Sequence, residues 1–259
     1  MNYQFIVITL CEDRKQKIIQ SFKDLGVKDS SIYYLKASTP ENSEEYFIDT
    51  SFDIETKKVV CCAKSHCRAI EYAARDESPD YSIVIEDDAS FHKMDFLKVV
   101  QQIISKWKTY FCHCDYLSLG WIPGNNYEHY KLKKCRNIQG IDNYVFLNDF
   151  YNFGLQCLLY CKQKIQKISK EINKQTFNEF KFSLDKLIIN LYDSNNIPSY
   201  SIHAVDYFLR YIMRHEIIFP PLVIEQNNVK SLLGHNNFDT YWIKFFKGYE
   251  EELNNYMSY

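Results

Sequence analysis

The stretch Gln4–Leu10 is a continuous apolar run, without the in–out alternation of a strand that faces water on one side. A short run of this kind reads as a strand buried on both faces, and such a strand needs cover above and below its sheet. A helical period follows at once. Ile18, Ile19, Phe22 and Leu25 recur at helical spacing, and Gly26 supplies the stop. Ser31–Lys36 reads as a second strand. A third unit joins the helical pattern of Val59, Cys62, Ala63, His66, Ala69, Ile70 and Ala73 to a strand over Tyr81–Ile85. Helix Asp95–Lys108 and strand Tyr116–Gly120 continue the theme. Repeated strand–helix–strand units predict an α/β fold, with a mostly parallel sheet flanked by helices.

The second half is less regular. Ile141–Leu147, Phe153–Tyr160 and Ile217–Phe219 read as strands, the last ended by Pro220 and Pro221. Residues 162–192 and Ala204–Met213 are helical in pattern, and the tail from Tyr241 sets aromatic and acidic residues at helical spacing. No Gly/Ser-rich linker, repeat or low-complexity block divides the chain, so a single domain over residues 1–259 is expected. A chain of 259 residues buries roughly three quarters of its unfolded surface and can hold a preformed cleft.

Charge excludes one class of partner: 31 basic against 33 acidic side chains give a net charge of −2 and no electrostatic case for nucleic acid. No run approaches the about 20 apolar residues of a membrane-spanning helix. The N-terminus lacks a basic start and a small-residue cleavage site, so a cytoplasmic protein is expected. Nine cysteines scattered through apolar segments read as reduced core residues. The 21 Tyr and 18 Phe would leave some aromatics exposed, as a sugar platform or the face of a homodimer.

The sharpest local feature is Ser82-Ile-Val-Ile-Glu86-Asp87-Asp88-Ala-Ser90, where three carboxylates close a buried strand. In open α/β sheets ligands bind beyond the carboxyl ends of the strands. Three adjacent acids repel one another, and a hard divalent cation between them, Mg²⁺ or Mn²⁺, relieves the repulsion and can bridge to phosphates. The same acids would equally serve as a solvated turn that caps the next helix. His66 lies on an apolar helix face, where a histidine is ordinarily a core residue. Cys61, Cys62, His66 and Cys67 cluster in sequence, as do Cys112, His113 and Cys114, yet no CxxC pair occurs and neighbouring helix positions face different ways. Structural zinc is therefore not expected. The glycine fingerprints of dinucleotide and P-loop sites are absent, so phosphate must be held some other way.

Taken in chain order, these motifs resemble glycosyltransferase family 25, which includes bacterial lipooligosaccharide galactosyltransferases and collagen hydroxylysine galactosyltransferases. Phe5-Ile-Val-Ile-Thr9-Leu10 with Asp13-Arg14 resembles the family's opening strand and Leu-x-x-Arg segment, and Leu35-Lys36-Ala37 the end of its second strand. Cys62-Ala-Lys-Ser65-His66 resembles its Gly-Cys-x-x-Ser-His helix, with Cys61 in place of the glycine. Ile83-Val-Ile-Glu86-Asp87-Asp88 resembles its Leu-Glu-Asp-Asp strand end, the family's form of the DxD motif. Phe153-Gly154 to Cys161 is similar to its Gly-Thr-x-Ala-Tyr-x-Ile-Ser segment, and Ala204-Val205-Asp206 to its Pro-x-Asp. Pro220 to Gln226 and Ser231 are similar to its closing segment.

The resemblance implies a single-domain GT-A-like (Rossmann-like) mixed sheet, with a donor-binding half over about 1–120 and an acceptor-side half over about 121–259. It implies inverting transfer of a hexose from a UDP-sugar to a glycan, lipid-linked glycan or protein hydroxyl, with Mn²⁺ or Mg²⁺. Galactose is favoured, with glucose or GlcNAc as alternatives. It places the metal on Asp88 and Glu86, with Asp87 through water and His235 late in the chain. It makes Asp206 the base and Thr9, Leu10, Arg14, Ala37, Ser65, His66 and Gly154 donor-side or cleft residues. Two competing readings are a catalytically inactive sugar-binding or structural protein on the same fold, and a metal-dependent nucleotidyltransferase.

Overall fold

In the computed structural model the first apolar run forms β1 (Tyr3–Thr9), buried from Phe5 to Thr9. The structure describes residues 2–42, 53–91, 95–123, 135–142, 144–147, 152–172, 209, 213–219 and 221–225. Asp206, His235, residues 173–192 and the tail from Tyr241 lie outside them, as does the Ala204–Met213 helix apart from Leu209 and Met213. Helix α1 (Glu12–Asp24) follows β1 and ends at Gly26, whose φ of +74° is the left-handed turn that only glycine adopts without strain. Next come β2 (Ile32–Lys36) and α2 (Ile54–Ala73), the latter opened by Asp53, whose carboxylate accepts from the Thr56 N–H. Then β3 (Tyr81–Glu86), β4 (Ala89–Phe91) and α3 (Phe96–Lys106) run in order, and α3 continues into a π turn over Trp107–Phe111. The remaining elements are β5 (Tyr116–Pro123), β6 (Cys135–Asn137), β7 (Val145–Leu147), β8 (Asn152–Cys161), α4 (Lys162–Ile172), β9 (His215–Phe219) and β10 (Val223–Glu225).

These strands form one mixed sheet in the order β2-β1-β3-β8-β5-β9-β7-β6, with β10 beside β5 and β4 beside β10. The parallel part is smaller than the repeating units predict. β1 pairs parallel with β2 and β3, and β5 with β9 and β10, whereas β8 runs antiparallel between β3 and β5. The strand expected from Ile141 begins only at Val145. Gly140, at φ +76°, and the Ile141 N–H bonded to the Ile138 carbonyl close a turn there first.

Two apolar layers cover the sheet, as the alternation of strand side chains requires. Phe5, Val7, Ile83 and Ile85 face one layer with Ile18 and Phe22 of α1 and Val99, Val100 and Ile103 of α3. Ile6, Ile8 and Val84 face the other with Ala63, Cys67 and Ile70 of α2 and Ile165 of α4. The described cysteines form no disulfide. Burial pushes the Cys61 thiol up to about 11 and Cys67 up to about 12, as expected of inert core thiols. Among the described residues no helix is long and apolar enough to cross a membrane.

Candidate active site

With β2 on one side of β1 and β3 on the other, the strand order reverses between β1 and β3, the position beyond whose carboxyl ends open α/β sheets bind ligands. The register Ile8↔Glu86 sets the last residues of β1 against the acid triplet. The triplet does not act as one cluster. Val84 packs toward α2 and Ile85 toward α1 and α3, so Glu86 continues on the α2 side and Asp87 turns toward α1. Glu86 Oε1 lies 2.9 Å from His66 Nε2 and 3.9 Å from Cys62 Sγ, both on α2. Asp87 Oδ2 accepts the Leu10 N–H at 2.6 Å, and the Asp87 N–H donates to the Ile8 carbonyl at 3.1 Å. Arg14 Nη1 on α1 stands 3.4 Å from Asp87 Oδ1 and 3.3 Å from Asp88 Oδ2. Asp87 is 4% exposed, and burial raises its carboxyl above the usual range; the Leu10 N–H and Arg14 oppose that rise without overcoming it.

The other expected residues are placed as follows. The Thr9 carbonyl accepts from the Ala37 N–H at 2.8 Å, and the Thr9 hydroxyl donates to the Leu35 carbonyl at 3.3 Å. These bonds knit the ends of β1 and β2. Ser65 Oγ accepts the Ser38 N–H and donates to the Cys61 carbonyl, both at 2.8 Å, so it fastens α2 to the segment after β2. Gly154 lies in the first part of β8. Because Cys157 pairs with Ile85 in antiparallel sense, that part of β8 runs past the carboxyl end of β3. Leu10, Arg14, Glu86, Asp87, Asp88 and His66 are thus brought to one end of the sheet.

What these residues offer a hard divalent cation can be judged from their present partners. Two carboxylates with side chains 5% and 14% exposed converge on a single positive atom, Arg14 Nη1. Both distances exceed the 2.7–2.9 Å typical of a charge-assisted bond. Oxygen donors around a point of positive charge suit Mg²⁺ or Mn²⁺ in type, and such an ion would compete with Arg14 for that position. Glu86 reaches the same ion only by leaving His66.

A second charged cluster was not anticipated from the sequence. Glu216 of β9 is fully buried, with Arg136 donating from Nη2 at 2.6 Å and from Nε at 3.2 Å, and His113 Nε2 at 2.9 Å. Nothing in His215-Glu216-Ile-Ile-Phe219 separates this acid from a solvent-facing one, so only the tertiary pairing reveals it. The Cys62 contact had a faint signal: Cys62 and His66 stand four apart and share a helix face.

No protein-family model matches the chain, and no curated protein matches it. Among solved structures it is similar to the glycosyltransferase GlyE of Streptococcus pneumoniae TIGR4, with TM-score 0.37 and 10% identity over 100% of this chain. It spans 64% of the GlyE chain. It is also similar to the galactosyltransferase LgtC in complex with donor and acceptor sugar analogs, with TM-score 0.37, 9% identity, and coverage of 95% of this chain and 96% of that one. A third is 4-diphosphocytidyl-2C-methyl-D-erythritol synthase from Anaerococcus prevotii DSM 20548, with TM-score 0.37, 11% identity, and coverage of 96% and 99%. Identities and scores this low leave the functional reading to the residues themselves.

Proposed function

We propose that the chain is an inverting, cation-dependent glycosyltransferase that moves a hexose from a UDP-sugar to a hydroxyl of a glycan or protein, with galactose the favoured sugar. The observation that carries this reading is the Asp87–Asp88–Arg14 constellation, set beyond the carboxyl ends of β1 and β3 where the strand order reverses. The chain-order motif resemblance supports it.

Inversion requires the acceptor hydroxyl to attack the anomeric carbon in line as the diphosphate leaves, with a carboxylate taking the hydroxyl proton from the opposite face. This chain's residues divide the work. Asp88 is the more solvent-accessible of the two acids on Arg14 and would hold the cation, with Asp87 in support. Asp87 holds the first turn after β1 through the Leu10 N–H, which fixes where α1 starts and therefore where Arg14 reaches. With a cation on those carboxylates, Arg14 would turn its planar fork toward the diphosphate. A divalent cation bound at Asp88 supplies the Lewis acidity that neutralises charge on the leaving group. Asp206 is the base in this reading and His235 a further ligand. Acceptor contacts come from the half of the chain after residue 120.

Titration of UDP into the chain with Mn²⁺, followed by calorimetry, tests the assignment. Binding is expected to require the cation and to vanish in Asp88→Ala while circular dichroism is unchanged. Equal UDP binding by wild type and variant would refute it.

A further inference from the structure

We infer that Cys62, His66 and Glu86 form a second cation site, selective for a borderline-soft divalent ion of the Zn²⁺ class and separate from the Asp87–Asp88 carboxylates. The three ligand atoms, one sulfur, one nitrogen and one oxygen, all lie within 4.8 Å of one another. Cys62 and His66 reach from successive turns of α2, and Glu86 reaches from the end of β3 on the α2 side of the sheet. A tetrahedral zinc ion with bonds of about 2.0–2.3 Å needs its ligands roughly 3.3–3.6 Å apart. The Sγ–Oε1 distance of 3.9 Å and the Nε2–Oε1 distance of 2.9 Å straddle that range, so rotamer-scale shifts suffice.

Donor chemistry sets the selectivity. Thiolate and imidazole favour Zn²⁺, whereas Mg²⁺ and Mn²⁺ prefer the oxygen-only environment at Asp88. Binding replaces the His66–Glu86 hydrogen bond and releases the Cys62 thiol proton to solvent. The bound state is then thiolate, neutral imidazole and carboxylate on one dication. His66 is 1% exposed; the Glu86 carboxylate accepts from Nε2 and so keeps the ring proton there, and binding moves that proton to Nδ1, which has no hydrogen-bond partner among the described residues. Nε2 can present its lone pair without breaking a bond at the other nitrogen. Three protein ligands leave a fourth position, and Glu86 at 23% exposure places it toward water.

The other sulfur-containing cluster shows by contrast why this one suits a cation. His113, Cys114 and Glu216 also converge, but two bonds from Arg136 already neutralise Glu216. Among the described residues no arginine or lysine pairs with Glu86.

Cobalt(II) titration of the metal-free full chain, read by absorption spectroscopy, tests the site. One equivalent is expected to produce tetrahedral ligand-field bands and a thiolate-to-cobalt charge-transfer band. That band should be lost in Cys62→Ser and retained in Asp88→Ala. No charge-transfer band in wild type, or the same band in Cys62→Ser, overturns the inference. A measurement without substitution guards against misfolding: Zn²⁺ should slow alkylation of Cys62 by iodoacetamide, as mapped by peptide mass spectrometry. An unchanged alkylation rate also overturns it. Neither failure touches the transferase reading, which rests on Asp87, Asp88 and Arg14.

Discussion

At the ligand end of the sheet, Asp87 sets burial against charge. Its carboxylate is withdrawn from water, held by the Leu10 N–H and shares Arg14 with Asp88, yet the cost of burial prevails and its proton affinity rises above the ordinary value near 3.8. A raised folded-state value means that the folded chain binds this proton more tightly than the unfolded chain. The stabilisation from Asp87 is therefore full below about pH 3.8 and is lost as pH rises through the raised value. Asn at this position keeps an acceptor for Leu10 and removes the titration. In chelator, the melting temperature of wild type relative to Asp87→Asn should fall as pH rises from about 4 to 7, and a pH-independent difference would show that Asp87 does not titrate there. The sequence advertises the acids, because an apolar run that stops in three carboxylates is conspicuous. It does not advertise Arg14 as their partner, since that pairing depends on α1 and Asp87 sharing one face of the sheet.

Strands buried on both faces were legible because their composition betrays them, and both β1 and β3 fall close to where the apolar runs place them. The direction of β8 was not legible. Phe153–Tyr160 reads as a strand, but its insertion between β3 and β5 is a pairing across more than 70 residues of chain for β3, and no local pattern encodes it. Gly120 marks where this arrangement is tightest. A glycine inside a strand signals close approach of another backbone. Here a Cβ would sit 2.8 Å from the Val223 carbonyl oxygen of β10 and 3.2 Å from Cys157 Cβ of β8. The carbonyl belongs to a strand already paired to both β4 and β5 and cannot swing aside cheaply. Gly120→Ala should therefore cost about 1–3 kcal/mol by overpacking, read as a lower urea midpoint at constant slope. A midpoint equal to wild type would mean that β10 adjusts freely.

The molecule places its two charged assemblies at different parts of one sheet, and they differ in what satisfies them. Beyond β1 and β3, Asp87 and Asp88 face Arg14 at 3.4 and 3.3 Å and Glu86 faces His66 at 2.9 Å. Around β9, Glu216 is saturated: Arg136 holds it with two bonds, donates to the Tyr110 carbonyl at 2.8 Å and lies 5.1 Å above the Phe111 ring. That network joins β6, β9 and the π turn after α3, so it fastens the far edge of the sheet to the helical layer. Removing one partner of a buried pair strands a charge and typically costs about 3–5 kcal/mol, whereas replacing both with apolar groups of similar volume is often neutral. Arg136→Met alone should lower stability by about that amount, because His113 is half-exposed and cannot replace a bidentate guanidinium. Adding Glu216→Leu to that variant should restore most of the loss, since no buried charge then remains unpaired. Urea unfolding of the single and double variants decides it: if the double variant is no more stable than Arg136→Met, the arginine acts through its packing on Phe111 rather than through the charge of Glu216.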